Sequence, residues 1–240
     1  MTTTLSAAVL DPLLAADPAG PRITFYDDAT GERIELSAVT MANWAAKTAN
    51  LLRDELGAGP GTRVAALLPA HWQTAAVLFG IWWIGAEVVL PDADTEADMA
   101  LCTRDRLDEA DDAVAGGEVA VLSLDPFGKP APDLPVGVTD YATAVRVHGD
   151  QIVAERMPGP ALAGRTAAEV LESARNAATA QGFTASDRVL STASWDTPDA
   201  LVTHLVAVFA AGASLVQVAH PDAVAMDRRR VTEKVTREIT

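Results

Sequence analysis

Two well-separated stretches of the chain carry the same succession of sequence features. Residues 57–90 and residues 182–218 each contain a turn, a short apolar run, a helix-length apolar run and a second short apolar run. The Gly85-Ala86 pair before the last run of the first stretch corresponds to Gly212-Ala213 in the second. Parallel strands need a crossover helix of this kind, and strands that are apolar throughout are covered on both faces. The repeat therefore predicts an α/β fold with mostly parallel sheets flanked by helices, built from two pseudo-repeated βαβ subdomains.

Composition restricts the possible partners and ligands. Hydrophobic residues make up 49% of the 240 positions, enough for a sizeable core in one large α/β domain or two subdomains. The formal net charge is −15. Because like charges repel, we expect neither nucleic acid nor an anionic membrane as a partner. The acidic positions between Asp105 and Asp112 are expected to form the solvated face of a helix rather than a metal site, since their spacing offers no convergent ligands.

Changes in composition along the chain predict its organisation. Residues 126–138 are rich in proline and glycine, which is typical of a connector. We expect a first α/β subdomain over residues 1–125 that includes an N-terminal hairpin, and a second over residues 139–221. The polar tail at 222–240 is predicted to be helical.

Local signals place the individual elements. Strand patterns at 23–27 and 32–36 flank a turn that needs a positive φ at Gly31, which is typical of a β-hairpin. Ser37 is a suitable N-cap for a long helix that ends at Gly57. Further strands are predicted near 63–68, 87–90, 119–124, 188–192 and 215–218, and helices near 5–16, 71–84, 104–114, 165–181 and 198–211.

Three features bear on the cellular compartment. The single cysteine, Cys102, excludes an internal disulfide and fits a reducing environment. No Lys or Arg precedes Arg22, whereas a secretory signal needs a basic start. The apolar runs at 75–86 and 200–221 are explained by buried helices and strands, because the first is too short to span a bilayer and Gly212 interrupts the second. We therefore expect a cytoplasmic protein.

The order and spacing of these motifs resemble the large domain of the AMP-binding, adenylate-forming enzymes, the superfamily of acyl-CoA synthetases, luciferases and peptide-synthetase adenylation domains. The block 23–91, with GPGTRV entering a strand and LLPAHWQTAAVLFGIWWIGAEVVLP after it, is similar to the start of that domain. The block 166–218, with DRVLSTASW and LVAVFAAGASLV, is similar to a later stretch. The resemblance implies the N-terminal part of that fold and a family of short, truncated relatives. The activity that it implies is that of an ATP-dependent ligase, either acid–CoA or adenylating.

The segment at the place of the superfamily's phosphate loop departs from the pattern. The resemblance implies a Ser/Thr/Gly-rich loop that ends in Pro-Lys-Gly just before the helix predicted at 165–181. Residues 155–164 contain two glycines but no Ser, Thr or Lys, and Pro158 and Pro160 each remove a backbone donor. The superfamily's Thr-Glu motif, its ribose-binding Asp and its mobile domain with a catalytic Lys would lie beyond position 240. The electrostatic elements of adenylate formation are thus expected to be missing.

Trp195 and Asp196 are the first candidates for ligand binding. They occupy the place where the related enzymes line the acyl or amino-acid pocket, at the carboxyl end of a strand, where open α/β sheets bind ligands. The alternative is a strand-to-helix loop in which Asp196 or Thr197 caps the helix that starts at Pro198.

Four further candidates come from two other places. His71 and Trp72 hold the equivalent position in the first repeat, with packing and capping as the alternative. Arg156 and Arg165 flank the phosphate-loop segment and could hold a carboxylate or phosphate, or form surface salt bridges instead. No pattern of catalytic or metal-binding residues is recognised.

These observations predict a non-catalytic binding or regulatory module, a pseudoenzyme with a truncated adenylate-forming fold. The alternative is a subunit of a split ATP-dependent acid ligase that forms an acyl-adenylate with a partner chain. No cofactor is firmly expected, although residual AMP, ATP or CoA binding is compatible with the resemblance. Apolar strands left uncovered are an aggregation hazard. We therefore expect either the tail to fold back as cover, or a homodimer or protein partner to supply it.

Overall fold

The computed structural model of the protein describes residues 3–90 and 96–239. Its strands are β1 Pro21–Asp27, β2 Glu32–Ser37, β3 Arg63–Leu67, β4 Glu87–Val89, β5 Met99–Thr103, β6 Glu118–Leu122, β7 Thr139–Asp140, β8 Arg188–Ser191, β9 Ser214–Ala219 and β10 Arg237–Ile239. Its α-helices are α1 Leu5–Ala16, α2 Ala38–Asn50, α3 Trp72–Trp83, α4 Leu107–Val114, α5 Tyr141–Ala144, α6 Ala167–Gln181, α7 Pro198–Leu201, α8 Ala207–Ala210 and α9 Ala223–Thr232. A π-helical turn, Leu51–Glu55, prolongs α2, and another, Val202–Val206, joins α7 to α8.

The strands belong to two sheets. The first sheet has the order β4-β3-β5-β6-β7, and its neighbouring strands are all parallel. The second sheet has the order β10-β8-β9-β1-β2, in which β1 and β2 are antiparallel and the other neighbours are parallel. The predicted α/β class with mostly parallel sheets is confirmed.

The internal repeat corresponds to two βαβ units, one in each sheet. β3 and β4 are parallel neighbours joined through α3, and β8 and β9 are parallel neighbours joined through α7 and α8. Gly85 and Gly212 adopt φ values of +75° and +81° in the turns that follow the crossover helices. Glycine reaches this region without steric cost, which explains why both turns contain it.

The N-terminal hairpin lies in the second sheet. β1 pairs antiparallel with β2 on one side and parallel with β9 on the other, and Gly31 takes the predicted positive φ, +79°. The sequence placed this hairpin in the subdomain over residues 1–125, whereas its sheet neighbours come from beyond residue 187. Sheet membership therefore does not follow the boundary predicted near residue 125. In this position β1 has a hydrogen-bonded neighbour on each side, and the side chains of Ile23 and Phe25 are buried.

The first sheet contains a central strand that the sequence analysis did not predict. β5 lies between β3 and β6 and is parallel to both. Its first four residues are buried, and burial raises the pKa of the Cys102 thiol to about 12. The cysteine is thus an inert core residue. The only sequence signal was a short apolar run before an acidic segment, which is too brief for a periodic pattern.

One cluster of buried side chains joins the two halves of the chain. It includes residues from one face of each sheet and from α1, α2, α3, α6 and α8. Every residue of α3 is buried. Phe79 of α3 stacks on Phe209 of α8, with ring centroids 5.9 Å apart, so the crossover helices of the two units pack together. None of the helices in the two described ranges combines the length and the apolar character that a bilayer-crossing segment requires.

The tail folds back onto the second sheet. Only its first part is the predicted helix, α9, whereas its end forms β10, which pairs with β8. The prediction of a helical tail is therefore wrong for residues 237–239. β10 satisfies the backbone groups that β8 would otherwise expose at the sheet edge. Met226 and Val235 pack on Leu190, Val216 and Val218, so the tail covers an apolar patch of this sheet.

Candidate functional site

Two cavities open where strands of both sheets end. The first has a volume of about 740 Å³ and is lined by residues at or after the carboxyl ends of β1, β3, β6 and β9. We call it the hairpin cavity, because residues 30–34 of the β1–β2 hairpin also line it. The second has a volume of about 560 Å³ and is lined by residues at or after the ends of β3, β5, β8 and β9. We call it the Trp195 cavity, after the residue that follows β8.

The two cavities are neighbours. Pro69 and Ala70 after β3, and Ala219 and His220 at the end of β9, line both of them. Together they form one cleft at the carboxyl edges of the sheets. This is the edge at which open α/β sheets bind their ligands.

The wall of the Trp195 cavity contains two buried polar atoms without partners. Trp195 is 3% exposed, and its indole N–H finds no acceptor among residues 3–90 and 96–239. Gln217 is 1% exposed; its amide nitrogen donates to Ala193 O at 3.1 Å, but its carbonyl oxygen has no donor within the same residues. An unsatisfied buried polar group costs about 1–3 kcal/mol.

Asp196 lies beside Trp195 in the cavity wall and does not cap the next helix. The cap of α7 is Thr197, whose hydroxyl accepts the Ala200 N–H at 3.2 Å. The Asp196 carboxylate accepts a hydrogen bond from the Ser194 hydroxyl at 2.7 Å and is exposed. The two sequence alternatives thus fall on adjacent residues, with Thr197 at the cap and Asp196 in the cavity lining.

His71 lines the hairpin cavity but serves as a helix cap. Its Nδ1 accepts the Gln73 N–H at 3.1 Å at the start of α3, so the ring proton is on Nε2, 3.7 Å from Glu32 Oε1. Burial lowers the pKa of His71 in spite of the Glu32 carboxylate, and the ring is neutral. Nδ1 is committed to the cap and Nε2 carries the proton, which leaves no free base. Trp72 lies outside both cavity linings and donates its indole N–H to Glu32 Oε1 at 3.3 Å.

His220 is a cleft residue that sequence reasoning missed. Its Nδ1 lies 2.9 Å from Asp27 Oδ1, its side chain is exposed, and its backbone has a φ of +47°. Burial works to raise the pKa of Asp27, but hydrogen bonds from His220 and from the Ala29 N–H hold it below its usual value. The two residues are 193 positions apart, so no local signal could have paired them.

The structure does not bring Arg156 and Arg165 into the cleft. Neither residue lines either cavity. Between them, the Gly159 N–H donates to Gly85 O at 2.9 Å, in the turn that precedes β4. The phosphate-loop segment therefore lies at the amino edge of the first sheet, whereas both cavities open at the carboxyl edge.

Further contacts hold this segment against α3 and β4, an outermost strand of the first sheet. Trp82 Nε1 donates to Ala161 O at 2.8 Å, and Leu162 forms a parallel bridge with Val88 of β4. The buried Glu87 carboxylate accepts the Gly164 N–H at 2.6 Å. The segment is thus built into the sheet through its own backbone groups.

Cationic side chains in the cleft are already engaged by carboxylates. Arg106 of the Trp195 cavity binds both oxygens of Glu109, at 2.9 and 2.7 Å. Arg33 of the hairpin cavity binds Glu35 at 2.9 Å and Glu233 at 3.0 Å. No lysine is among the described lining residues. The lining carboxylates are Asp27, Glu32, Asp105, Asp125 and Asp196.

Comparison with known sequences establishes the family. A Mycobacterium tuberculosis protein described as a TIGR03089 family protein is 71% identical to this chain over 239 residues, which cover 98% of each chain. The chain belongs to the TIGR03089 family. No protein-family model matches this member of the family.

Solved structures similar to this TIGR03089 family member share its fold at low sequence identity. A Brucella canis acyl-CoA synthetase matches with a TM-score of 0.80 and 16% identity, over 98% of this chain and 46% of that one. MatB from Rhodopseudomonas palustris matches with a TM-score of 0.76 and 18% identity, over 96% of this chain and 48% of MatB. The N-terminal domain of FACL13 from Mycobacterium tuberculosis matches with a TM-score of 0.73 and 18% identity, over 99% of this chain and 62% of that one.

These likenesses confirm the predicted fold. The chain spans about half the length of the acyl-CoA synthetase and of MatB, and its two sheets correspond to the N-terminal part of adenylate-forming enzymes.

Proposed function

We propose that this TIGR03089 family member is a non-catalytic module that binds a small molecule and does not form acyl-adenylates by itself. The observation that carries the proposal is the separation of two parts that adenylate formation needs together. The segment 155–164 is held at the amino edge of the first sheet, and the cavities open at the carboxyl edge. Formation of an acyl-adenylate requires hydrogen-bond donors or cations that hold the phosphates of ATP beside the pocket that holds the acid.

The charge of the cleft supports the same conclusion. Its two guanidinium groups are bound by carboxylates, and five carboxylates line the cavities. A nucleotide phosphate placed there would meet net negative charge without a free cation to offset it. We therefore expect AMP, ATP and CoA to bind weakly.

The Trp195 cavity supports a binding role. Trp195 and Gln217 belong to its lining, and the indole N–H and the amide carbonyl oxygen are buried without a partner among the described residues; a ligand that shifts these side chains enough to pair with both atoms removes their cost to stability. The ligand that fits carries an acceptor and a donor on an otherwise apolar body, as a protonated acid, an amide or an alcohol does.

The catalytic side of the proposal is tested by ATP–pyrophosphate exchange. The purified chain is assayed with fatty, aromatic and amino acids, and a full-length acyl-CoA synthetase is the positive control. We expect no exchange above background. Robust exchange that is lost in Arg165→Ala but kept in the matched control Arg175→Ala, on the exposed face of α6, would overturn the proposal.

The binding side is tested by thermal shift. Carboxylic acids, amides, alcohols, AMP, ATP and CoA are screened for a rise in the unfolding midpoint, since only binding to the folded state raises it. Ligands of the Trp195 cavity should lose their effect in Trp195→Phe, which removes the N–H and keeps an aromatic ring. Trp44→Phe, a half-buried tryptophan outside both cavities, should keep it.

A second candidate function is a subunit of a split ATP-dependent acid ligase. The observation that favours it is that the chain superposes on 46% of an acyl-CoA synthetase and retains a cleft at the carboxyl edge. A partner chain, or a second copy, would have to supply the phosphate-binding residues as well. Reconstitution with a co-encoded partner should then yield acyl-adenylate, and light scattering should show the complex. A complex that forms no adenylate speaks for the binding module.

A further inference from the structure

The hairpin cavity contains a partly buried carboxylate, that of Glu32, which forms no ion pair with a Lys or Arg of the described residues. The Glu32 side chain is 9% exposed. Its Oε1 accepts one long hydrogen bond, from the indole of Trp72 at 3.3 Å, and His71 Nε2 lies 3.7 Å away. Its Oε2 accepts no hydrogen bond from the residues that the structure describes. A buried carboxylate is ordinarily paired with a cation or held by several donors, because its desolvation is costly.

No lysine or arginine among residues 3–90 and 96–239 forms an ion pair with Glu32. The neighbouring ring of His71 is neutral, since burial lowers its pKa and Nδ1 caps α3. Arg33 is next in sequence and also lines the hairpin cavity. Its guanidinium is bound to Glu35 and Glu233 instead. The negative charge in this wall is therefore uncompensated within the described residues.

The rest of the cavity reinforces this charge and adds aromatic surface. Asp27 and Asp125 also line it; the first is bound to His220 and the second has the exposed Lys129 ammonium 3.9 Å away. Phe25 packs edge-on against the His71 ring, with centroids 4.2 Å apart. Aromatic faces beside carboxylates are the surroundings that favour an organic ammonium group.

We propose that the hairpin cavity binds a small organic cation, a protonated amine on an apolar body, with Glu32 as the anchor of the ammonium group. The apolar body lies against Phe25, Ile34 and Phe127. The volume of about 740 Å³ is in the range of small-molecule sites. This site adjoins the Trp195 cavity, with which it shares four lining residues, but its anchor, Glu32, lines the hairpin cavity and is not among the residues that line the Trp195 cavity.

The test compares three probes of one shape and different charge. Phenethylamine, 2-phenylethanol and 3-phenylpropionate are titrated into the full chain by calorimetry at pH 7 and constant ionic strength. We expect the amine to bind roughly tenfold more tightly than the alcohol, which corresponds to about 1.4 kcal/mol, and the carboxylate to bind least, because only the ammonium group is attracted by the Glu32 carboxylate. Added salt should reduce the advantage of the amine.

Two variants locate the anchor. Glu32→Gln keeps the shape and the acceptor for Trp72 and should bring the amine down to the affinity of the alcohol. Glu172→Gln, on the exposed side of α6, makes the same change in net charge and should leave the preference intact. If Glu32→Gln does not fold, Asp125→Asn replaces it and should weaken amine binding about threefold.

The outcomes are distinct. An alcohol or a carboxylate that binds as tightly as the amine overturns the inference, and so does the absence of binding by all three probes. If Glu32→Gln still prefers the amine, the preference comes from the net negative charge of the protein and not from Glu32, and the inference is overturned. ATP–pyrophosphate exchange by the chain would overturn the proposed function without affecting this result.

Discussion

The phenol of Tyr26 in β1 donates a hydrogen bond to Oε1 of Glu233 at 2.5 Å, across 207 positions of the sequence. Arg33 of the hairpin binds the same oxygen at 3.0 Å, and Arg188 of β8 binds the other oxygen. Glu233 lies at the end of α9 and is buried. One carboxylate therefore fastens the tail to both the hairpin and β8. A second ion pair, between Arg229 and Asp28 at 2.5 Å, holds the same helix.

Replacement of Glu233 by glutamine should lower the free energy of unfolding by about 2 kcal/mol, because the guanidinium groups of Arg33 and Arg188 lose the more buried of their two carboxylate partners and keep only Glu35. The change is measured by urea denaturation. Glu238→Gln is the matched control, since its pair with Arg230 is exposed and should be worth less than about 0.5 kcal/mol. Equal effects of the two variants would show that Glu233 is no more than a surface ion.

The same residue predicts a pH dependence of stability. Burial works to raise the pKa of Glu233, but hydrogen bonds from Tyr26, Arg188 and Arg33 outweigh it and lower the pKa from 4.5 to about 2. A carboxyl with a lowered pKa stabilises the fold above its unfolded-state value and loses that contribution as the pH falls through its folded-state value. The unfolding midpoint should therefore decline from about pH 5 towards pH 2. Glu233→Gln should flatten this decline, and an unchanged slope would contradict the assignment.

The contact between α2 and α3 depends on the absence of a side chain at Gly80. A Cβ at this position would lie 2.8 Å from Thr48 Cβ and 3.0 Å from Ala45 O. Gly80→Ala should therefore destabilise the protein by about 2 kcal/mol, although alanine is the better helix former. Gly59→Ala is the control, because no atom lies within 4 Å of its Cβ position. Thermal and chemical denaturation distinguish the two, and a stabilised Gly80→Ala variant would rule out the close contact.

The indole N–H of Trp82 holds the phosphate-loop segment through Ala161 O. Trp82→Phe should lower stability by about 1 kcal/mol, because the Ala161 carbonyl loses one of its two donors and keeps the Val88 N–H at 2.9 Å. Amide hydrogen exchange should accelerate locally in residues 155–164. Uniform acceleration across both sheets instead would mean that the variant weakens the core as a whole.

Much of the fold could be predicted from short-range patterns. The apolar runs and the paired Gly-Ala turns predicted both βαβ units, since strand, crossover helix and positive-φ turn are set by neighbouring residues. Ser37, predicted as a cap, accepts the Thr40 N–H at 3.2 Å at the start of α2. β5 and β10 lie outside the repeat, and their runs of five and three residues are too short to show a period on their own.

The candidate site could be predicted only in part. The place of Trp195 and Asp196 after β8 follows from the repeat, and both residues line a cavity. The separation of Arg156 and Arg165 from that cavity could not be foreseen, because it depends on backbone bonds to the turn before β4.

The α/β class, the two βαβ units and the acidic character of the chain could be predicted from the amino-acid sequence, because these features depend on composition and on residues close together in the chain. The tertiary structure alone decided that the hairpin joins β9, that β10 completes the edge beside β8, and that His220 meets Asp27 in the cleft. Each of these contacts joins residues far apart in sequence. Which residues meet in such a contact depends on how the whole chain packs, and this cannot be predicted from a local sequence pattern.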